Sequence, residues 1–183
     1  MQRSTAAACL VAASGLLLLS QLRLLPQDQG VLLEVSGRPV DAAGQLQGAW
    51  LRLVRRCGTV TTLADGSAAW QEAQRVLAGY SPPASLAARP VQVLSWGEGD
   101  AQWLLAEVRW GASAIAIAPL DPAIVPLARR GGVLQVQAGG VWSGDTGPWS
   151  APVFIRRFLA DRLPALPAAL SQCLDPQLRP FSR

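Results

Sequence analysis

A run of apolar residues without a charged side chain opens the hydropathy pattern and extends from residue 4 to residue 22. Residues 5–19 show no polar face, although a helix that packs on a water-soluble core keeps one side polar. The run follows Arg3, and this layout is typical of a secretory signal or a signal anchor. About 20 apolar residues cross a bilayer. The pattern therefore predicts a signal anchor or signal peptide over residues 1–25, with membrane contact through residues 4–25, and a short linker over residues 26–30.

The residues after Leu19 decide between an anchor that stays and a signal that is removed. The next four residues, SQLR, do not form the small-residue site that signal peptidase cleaves. We therefore favour an uncleaved anchor that holds the remaining chain in a periplasm, a lumen or the extracellular space. A cleaved signal would instead leave a secreted protein.

The segment 45–57 repeats apolar residues at helical spacing along one stripe, formed by Leu46, Trp50, Leu53 and Cys57. Cations near the end of the segment and a glycine just beyond it are helix-stop signals: Arg52, Arg55, Arg56 and Gly58. These signals predict a helix whose apolar face is this stripe. Gly44 and Gly48 weaken the prediction, and residues 50–54 also fit a strand.

Short apolar or β-branched runs predict strands at four places, residues 31–35, 59–63, 113–118 and 133–137. Residues 37–44 are typical of a turn. Two further runs, residues 90–96 and 101–110, form the clearest hairpin. On its second strand one face is apolar, with Leu104, Ala106, Val108 and Trp110, and the other is mixed, with Trp103, Leu105, Glu107 and Arg109.

Helix signals lie between and after these strands. Asp65 or Ser67 can cap a helix that runs through Ala78, with Trp70, Ala73 and Leu77 on the core side and Gly79, Pro82 and Pro83 at its end. Residues 119–130 contain prolines and are expected to hold one helical turn.

Ser150 can cap a C-terminal helix with a buried side formed by Phe154, Ile155, Phe158 and Leu159. Pro164 ends this helix, and Pro167 can begin a short second one. The elements predict an α+β fold, a mostly antiparallel sheet with two or three covering helices on one face, preceded by one N-terminal membrane segment. We expect residues 31–174 to form a single extracytoplasmic domain and residues 175–183 a flexible tail.

The amino-acid composition excludes several kinds of catalytic site. The chain of 183 residues contains no His and no Lys. Ser and Cys nucleophiles usually need such a base, and His-ligated metal or haem sites need His itself. We therefore expect no metal, no cofactor and no catalysis of these types.

Carboxylates remain as candidate catalytic groups. Asp145 begins a D-T-G triplet that resembles the motif of aspartic proteases, but Ser143 and Gly144 precede it where that family has an apolar strand. Glu98 and Asp100 could form an acid and base pair or hold a cation. The plainer interpretation places both carboxylates in a solvent-exposed hairpin loop.

The formal charge of +4 does not indicate a nucleic-acid partner. Arg3 and Arg23 belong to the predicted anchor, and the Arg52, Arg55 and Arg56 group has no nucleic-acid-binding motif around it.

Cys57 and Cys173 are the two thiols outside the membrane segment, and such a pair usually forms a disulfide in an oxidising compartment. The sequence also contains seven Trp. Core packing is the favoured role for them. Trp103 is the best candidate for an exposed one, because its strand face also carries Glu107 and Arg109. These three residues are a possible ligand-binding group.

These observations predict a membrane-anchored extracytoplasmic accessory, assembly or binding protein of a bacterial-type envelope or internal lumen. It would act by contacts with a protein partner at the membrane and without catalysis. Two alternatives stay open: a carboxylate-dependent hydrolase that uses Asp145 or the pair Glu98 and Asp100, and a binder of carbohydrate or a small ligand that uses exposed Trp.

Overall fold

A computed structural model describes residues 22–80, 85–112 and 121–176. The described chain forms nine strands and four α-helices, and the α+β class is confirmed. In chain order they are β1 (Leu22–Gln27), β2 (Gly30–Val35), β3 (Arg38–Val40), α1 (Ala42–Val54), β4 (Thr61–Thr62), α2 (Ala68–Tyr80), β5 (Ser85–Trp96), β6 (Trp103–Ala112), β7 (Asp121–Arg130), β8 (Val133–Val136), β9 (Trp142–Ser143), α3 (Ala151–Arg162) and α4 (Ala168–Cys173).

The larger of two sheets is antiparallel, with strand order β4-β5-β6-β7-β8, and β9 pairs with β7. The predicted hairpin is β5 and β6, closed by a register that pairs Trp96 with Trp103. Its loop turns through Gly97, whose φ is +73° and whose added Cβ would lie 2.8 Å from the Ala101 carbonyl oxygen. Glycine is therefore required at this turn.

Helices cover both faces of this sheet, whereas we expected them on one face. The core on the α2 side contains Trp70, Ala73, Leu77, Ala88, Val93, Leu104, Ala106, Val108, Ala123, Val125, Leu127 and Leu134. The core on the α3 and α4 side contains Leu94, Trp103, Leu105, Ile124, Ala128, Trp142, Ile155, Leu159, Leu166, Leu170 and Leu174. The mixed face of β6 is thus buried as well as the apolar one. The Trp110 side chain lies outside the described part.

Strand β7 replaces the helical turn that we expected in residues 119–130. The prolines in it do not prevent pairing, because β7 is held by β6 on one edge and by β8 and β9 on the other. The Pro126 carbonyl oxygen, for example, still accepts from the Gln137 N–H at 2.9 Å. The predicted strand over 113–118 lies outside the described residues.

The remaining predictions differ mainly at element ends. Thr61–Thr62 is a shorter strand than the predicted 59–63, and α2 extends to Tyr80, with the Ser67 hydroxyl oxygen accepting from the Trp70 N–H at 3.3 Å. The helix predicted over 45–57 is confirmed as α1, which begins and ends three residues earlier. The predicted turn over 37–44 is wrong for most of its length, because β3 pairs with β2 over Arg38–Val40 and α1 begins at Ala42. The two C-terminal helices are also confirmed.

The smaller sheet is antiparallel with order β1-β2-β3. Leu22–Gln27 form its first strand, although we assigned residues 22–25 to the membrane segment and residues 26–30 to a linker. These residues form a strand because they pair with β2 along their whole length, from Leu22 with Val35 to Gln27 with Gly30. Residues 1–21 and 177–183 lie outside the described part. Among the described helices, none has the length and apolarity needed to cross a bilayer.

Candidate functional site

Helix α1 exposes an apolar stripe, formed by Leu46, Trp50, Leu53 and Val54. The side chains of Leu46, Trp50 and Leu53 are 73%, 64% and 82% exposed. Residues three and four positions apart lie on one side of a helix, so these side chains form a continuous surface. An apolar stripe on a helix normally faces the core. The α1 stripe faces solvent instead, over a helix about 20 Å long.

Two glycines on the opposite side of α1 explain this orientation. Gly44 and Gly48 are the buried residues of the helix, and α1 packs against α3 and β2. A Cβ added at Gly48 would lie 3.6 Å from Val153 Cγ2 on α3. This glycine side of α1 lies against α3, so the larger apolar side chains on the other side are left outside.

The buried carboxylate of Asp41 fixes the start of α1. Its Oδ1 accepts from the Gly44 N–H at 2.8 Å, which caps α1, and its Oδ2 accepts from the Ser150 N–H at 3.0 Å. The Ser150 hydroxyl donates to the Asp41 carbonyl oxygen at 3.4 Å. Ser150 therefore bonds to Asp41 and makes no side-chain cap of its own helix, α3. One side chain thus joins the first turns of two helices.

A disulfide fixes the other end of α1. Cys57 and Cys173 are bonded, with 5.8 Å between their Cα atoms, as we predicted. Arg55 and Asp175 form an ion pair at 3.3 Å beside it. The bond joins the residues after α1 to the last residue of α4, so both ends of α1 are held against the C-terminal helices.

Positive charge gathers near the end of the α1 stripe. Arg52 and Arg56 are exposed there. Arg156 of α3 donates to the carbonyl oxygens of Gln172 and Leu174, each at 3.3 Å. Burial lowers the pKa of Arg156 from its ordinary value. The Asp175 carboxylate opposes this shift, and Arg55 and Arg52 add to it. Among the described atoms, Arg55 Nη1 and Arg156 Nε are buried without a hydrogen-bond partner.

The smaller sheet exposes a second apolar surface, which we name the outer sheet face. Residues paired in an antiparallel register project to the same side of a sheet. Leu22 pairs with Val35, Leu24 with Leu33 and Pro26 with Val31, so these six residues share that face. Leu24 is 72% exposed and Val31 is 50% exposed. The buried Leu32 lies on the opposite face.

The predicted ligand group at Trp103 is not an exposed surface. Trp103 is only 5% exposed, because it packs into the core and the Arg130 guanidinium carbon lies 5.2 Å from its ring centroid. Glu107 is fully buried and forms an ion pair with Arg109 at 3.5 Å. The sequence could not show that helices α3 and α4 cover this mixed face.

A cleft of about 710 Å³ nevertheless borders Trp103. Trp96, Asp100, Trp103 and Arg130 line one side, and residues 165 and 167–169 line the other. Trp96 is partly exposed in it. The cleft therefore combines an aromatic surface with one cation and one carboxylate.

The two alternative catalytic sites, Asp145 and the pair Glu98 and Asp100, lie far apart. Asp145 Oδ1 accepts from the Gly147 N–H and Asp100 Oδ1 accepts from the Gly132 N–H, each at 2.7 Å. The loop of Asp145 adjoins Pro122, since the Gly144 N–H donates to the Pro122 carbonyl oxygen at 3.1 Å. Pro122 lies at the start of β7 and Gly132 lies in the turn just after its last residue, Arg130. The strand from Pro122 to Arg130 spans about 26 Å. Asp145 therefore cannot act together with Asp100 or with the nearby Glu98. The described residues contain no group of three or more His, Cys, Asp or Glu that could hold a metal.

Sequence reasoning missed the role of Asp41, Gly44 and Gly48. Asp41 precedes an apolar helical pattern, which is an N-cap signal, and we assigned it to a turn. The two glycines at a spacing of four weakened the predicted helix, although the same spacing allows close helix contact.

No family model matches the sequence, and comparisons with curated proteins and with solved structures find no match. The function is therefore inferred from the chain's own residues and contacts.

Proposed function

We propose that this chain is a membrane-anchored extracytoplasmic accessory or assembly protein that acts by contact with a protein partner, without catalysis. The observation that carries the proposal is the exposed α1 stripe. Monomeric soluble proteins rarely expose contiguous apolar patches without an interaction role. The α1 stripe is the surface that we assign to the partner.

The spacing of the stripe fits recognition of a helix by a groove. Leu46, Trp50 and Leu53 stand at positions i, i+4 and i+7, which are the anchor positions in such complexes. Trp is also the residue most enriched among the side chains that dominate binding energy. Gln45 and Gln47 lie in α1 on either side of the stripe and are exposed, as expected for the polar rim of an interface.

The contacts at both ends of α1 make the stripe rigid before it binds. Asp41 holds the first turn to α3, and the Cys57–Cys173 disulfide holds the end to α4. A preorganised surface loses less conformational entropy on association. This rigidity supports a binding role for α1 over a role as a mobile segment.

The charges near α1 indicate the chemistry of the partner. Arg52 and Arg56 are exposed at the C-terminal end of the stripe. A complementary partner therefore has an apolar groove with acidic residues at one end, which steers association and sets the register.

Two observations support the location. The uncharged run before β1 has the pattern of a membrane anchor. The disulfide is typical of an oxidising compartment such as a periplasm, a lumen or the extracellular space.

The test is photo-cross-linking of the full chain in its native membrane, with a photoreactive residue in place of Trp50 and a matched control at Val133. Val133 is 58% exposed on β8, in the larger sheet. We expect position 50 to yield one discrete protein adduct that position 133 does not yield. Leu46→Ser with Leu53→Ser should abolish the adduct, whereas Leu24→Ser with Val31→Ser on the outer sheet face should retain it. Identical products at positions 50 and 133, or adducts to lipid alone, would contradict the proposal.

The cleft supports a second candidate, a binder of carbohydrate or another small polar ligand. Trp96 offers an aromatic surface beside Arg130 and Asp100. Tryptophan fluorescence should then change in a saturable way during titration with oligosaccharides, and Arg130→Gln should reduce that change. A titration without any change in the wild-type chain removes this candidate.

A further inference from the structure

The outer sheet face is apolar except at its rim. It carries Leu22, Leu24, Val31, Leu33 and Val35 together with Pro26. Val40 and Arg38 extend it, because they pair with Leu33 and Val35. Arg38 is the one charged side chain that the register places on this face, and it lies at the rim, beside the β2–β3 turn. The charged residues Arg23 and Glu34 project to the opposite face.

Short turns hold this face in a fixed shape. Gln27 pairs with Gly30 and Val35 pairs with Arg38, so each turn contains two residues. Ser36 and Gly37 both have positive φ, +52° and +78°, as the tight hairpin turn requires. The strands therefore present one continuous surface, about 20 Å long on β1 and β2, which β3 extends at one end.

The N-terminal segment outside the described part, residues 1–21, directly precedes this surface. Its residues 5–19 carry no charge and show no polar face. Leu22 already belongs to β1, so only Ser20 and Gln21 lie between the apolar run and the sheet. If the run enters a bilayer, the chain leaves the lipid within about 10 Å of the first residue of the outer sheet face.

We propose that the outer sheet face docks on the surface of the lipid bilayer, at the boundary between headgroups and acyl chains. This inference rests on the membrane attachment in the proposed function. A face with no charge at its centre fits the acyl boundary, and the rim residue Arg38 fits lipid phosphate. The tether keeps the face at a high effective concentration next to lipid, so weak interfacial contacts are sufficient to orient the domain.

This placement assigns the two apolar surfaces to different occupants. The outer sheet face lies at the tether and meets lipid, whereas the α1 stripe follows later in the chain, has polar glutamines at its borders and meets a protein. The two surfaces therefore serve as controls for each other.

The test uses the full chain with Cys9→Ser, so that no other free thiol competes, and with Leu24→Cys carrying an environment-sensitive fluorophore. The chain is reconstituted into vesicles of phosphatidylcholine and phosphatidylglycerol that contain lipid with a nitroxide on the acyl chain. We expect several-fold stronger quenching of the label at position 24 than of the same label at Val133→Cys. Val31→Cys provides a second site on the same face if one substitution prevents folding, and Leu53→Cys on α1 should be quenched as weakly as position 133.

Flotation of the vesicles and resistance to carbonate extraction are measured on the same samples. Protein that floats and resists extraction, but whose labels at positions 24 and 31 are quenched by aqueous iodide as readily as at position 133, overturns the inference and leaves the anchor intact. Protein that remains in solution overturns the membrane attachment itself. Labels that are shielded in native membranes but not in pure-lipid vesicles show that a protein covers the face, which also overturns the inference.

Discussion

The six-stranded sheet and the three-stranded sheet of this chain differ in what covers their faces. Helix α2 covers one face of the larger sheet and helices α3 and α4 cover the other, so both faces of β6 are buried from Trp103 to Val108. The smaller sheet leaves its outer face open, and α1 beside it turns its apolar stripe outward. The larger sheet carries the hydrophobic core, and the N-terminal unit of β1–β3 and α1 carries the apolar surface available for contact.

The two regions also differ in how they are held. Between residues 22 and 54, all of which are described, Leu32 is the one large apolar side chain that is buried, with 4% exposure. Polar and covalent links therefore stabilise this region: the hydrogen bonds of Asp41 at the start of α1 and the Cys57–Cys173 bond beyond its end. The stability of the N-terminal unit therefore depends on a few specific links, whereas that of the larger sheet depends on extensive apolar burial.

Removal of the disulfide should have the largest effect. Cys57 and Cys173 are separated by 116 residues, and closing a loop of this length stabilises the fold by about 4 to 5 kcal/mol in the chain-entropy model. We expect Cys57→Ser with Cys173→Ser to lower the free energy of unfolding in urea by up to this amount. Limited proteolysis of the same variant should cut near α1 before it cuts the larger sheet. Equal cleavage rates in both regions would show that the N-terminal unit does not depend on the bond.

A matched pair of Leu→Ala substitutions compares apolar burial in the two regions. Leu105 of β6 is fully buried in the core that the larger sheet forms with α3 and α4, whereas Leu53 on α1 is 82% exposed. Leu105→Ala should lower the free energy of unfolding by about 2 to 5 kcal/mol, because it removes buried apolar contacts and leaves a cavity. Leu53→Ala should change it by about 0.5 kcal/mol or less. Equal losses in a denaturant titration would mean that the α1 stripe is covered within the isolated chain.

Much of the secondary structure of the larger sheet could be predicted from the sequence, because its signals are local. The alternation in β5 and β6, the Ser67 cap of α2 and the prolines around α3 and α4 act over a few residues. The disulfide could also be predicted, from the number of cysteines and their expected compartment.

Burial could not be predicted in the same way, because it depends on what packs against each face. The sequence of α1 shows an apolar stripe, but its orientation follows from the burial of Gly44 and Gly48 on the other side and from the packing of α1 against α3, far along the chain. Trp103 likewise has charged neighbours on its strand face and is buried by helices that follow 48 residues later or more. Strand β7 contains prolines that suggest a turn, and it is extended because partners on both edges pair with it.

The glycines of α1 provide the next test, because they stand on the same face with different surroundings. A Cβ at Gly44 would lie 2.0 Å from Asp41 Oδ2, so Gly44→Ala must displace the carboxylate that joins α1 to α3. The expected loss in the free energy of unfolding is about 1 to 3 kcal/mol. Gly48→Ala meets only Val153 at ordinary contact distance and should be neutral or stabilising by up to about 1 kcal/mol. Thermal unfolding of both variants checks this, and a similar loss in both would assign the effect to helix spacing and not to Asp41.

The smallest expected effect concerns an ion pair that belongs to the larger sheet. Arg129 of β7 donates to both carboxylate oxygens of Glu72 on α2, at 2.9 Å and 2.6 Å. These hydrogen bonds hold the pKa of Glu72 below its ordinary value. Since the carboxyl is more acidic in the folded chain, the pair stabilises the fold above the ordinary Glu pKa of about 4.3, and this contribution is lost as the pH falls through the lower folded-state pKa.

Both side chains of this pair are partly exposed, so its contribution is about 1 kcal/mol or less. Glu72→Gln should therefore be less stable than the wild-type chain at pH 7, and the two should converge as the pH falls below about 4. Urea titrations between pH 3 and pH 7 measure the difference. If the difference in the free energy of unfolding stays constant over this range, Glu72 supports the α2 side of the core through packing and not through its charge. Apolar burial alone would then distinguish the larger sheet from the N-terminal unit.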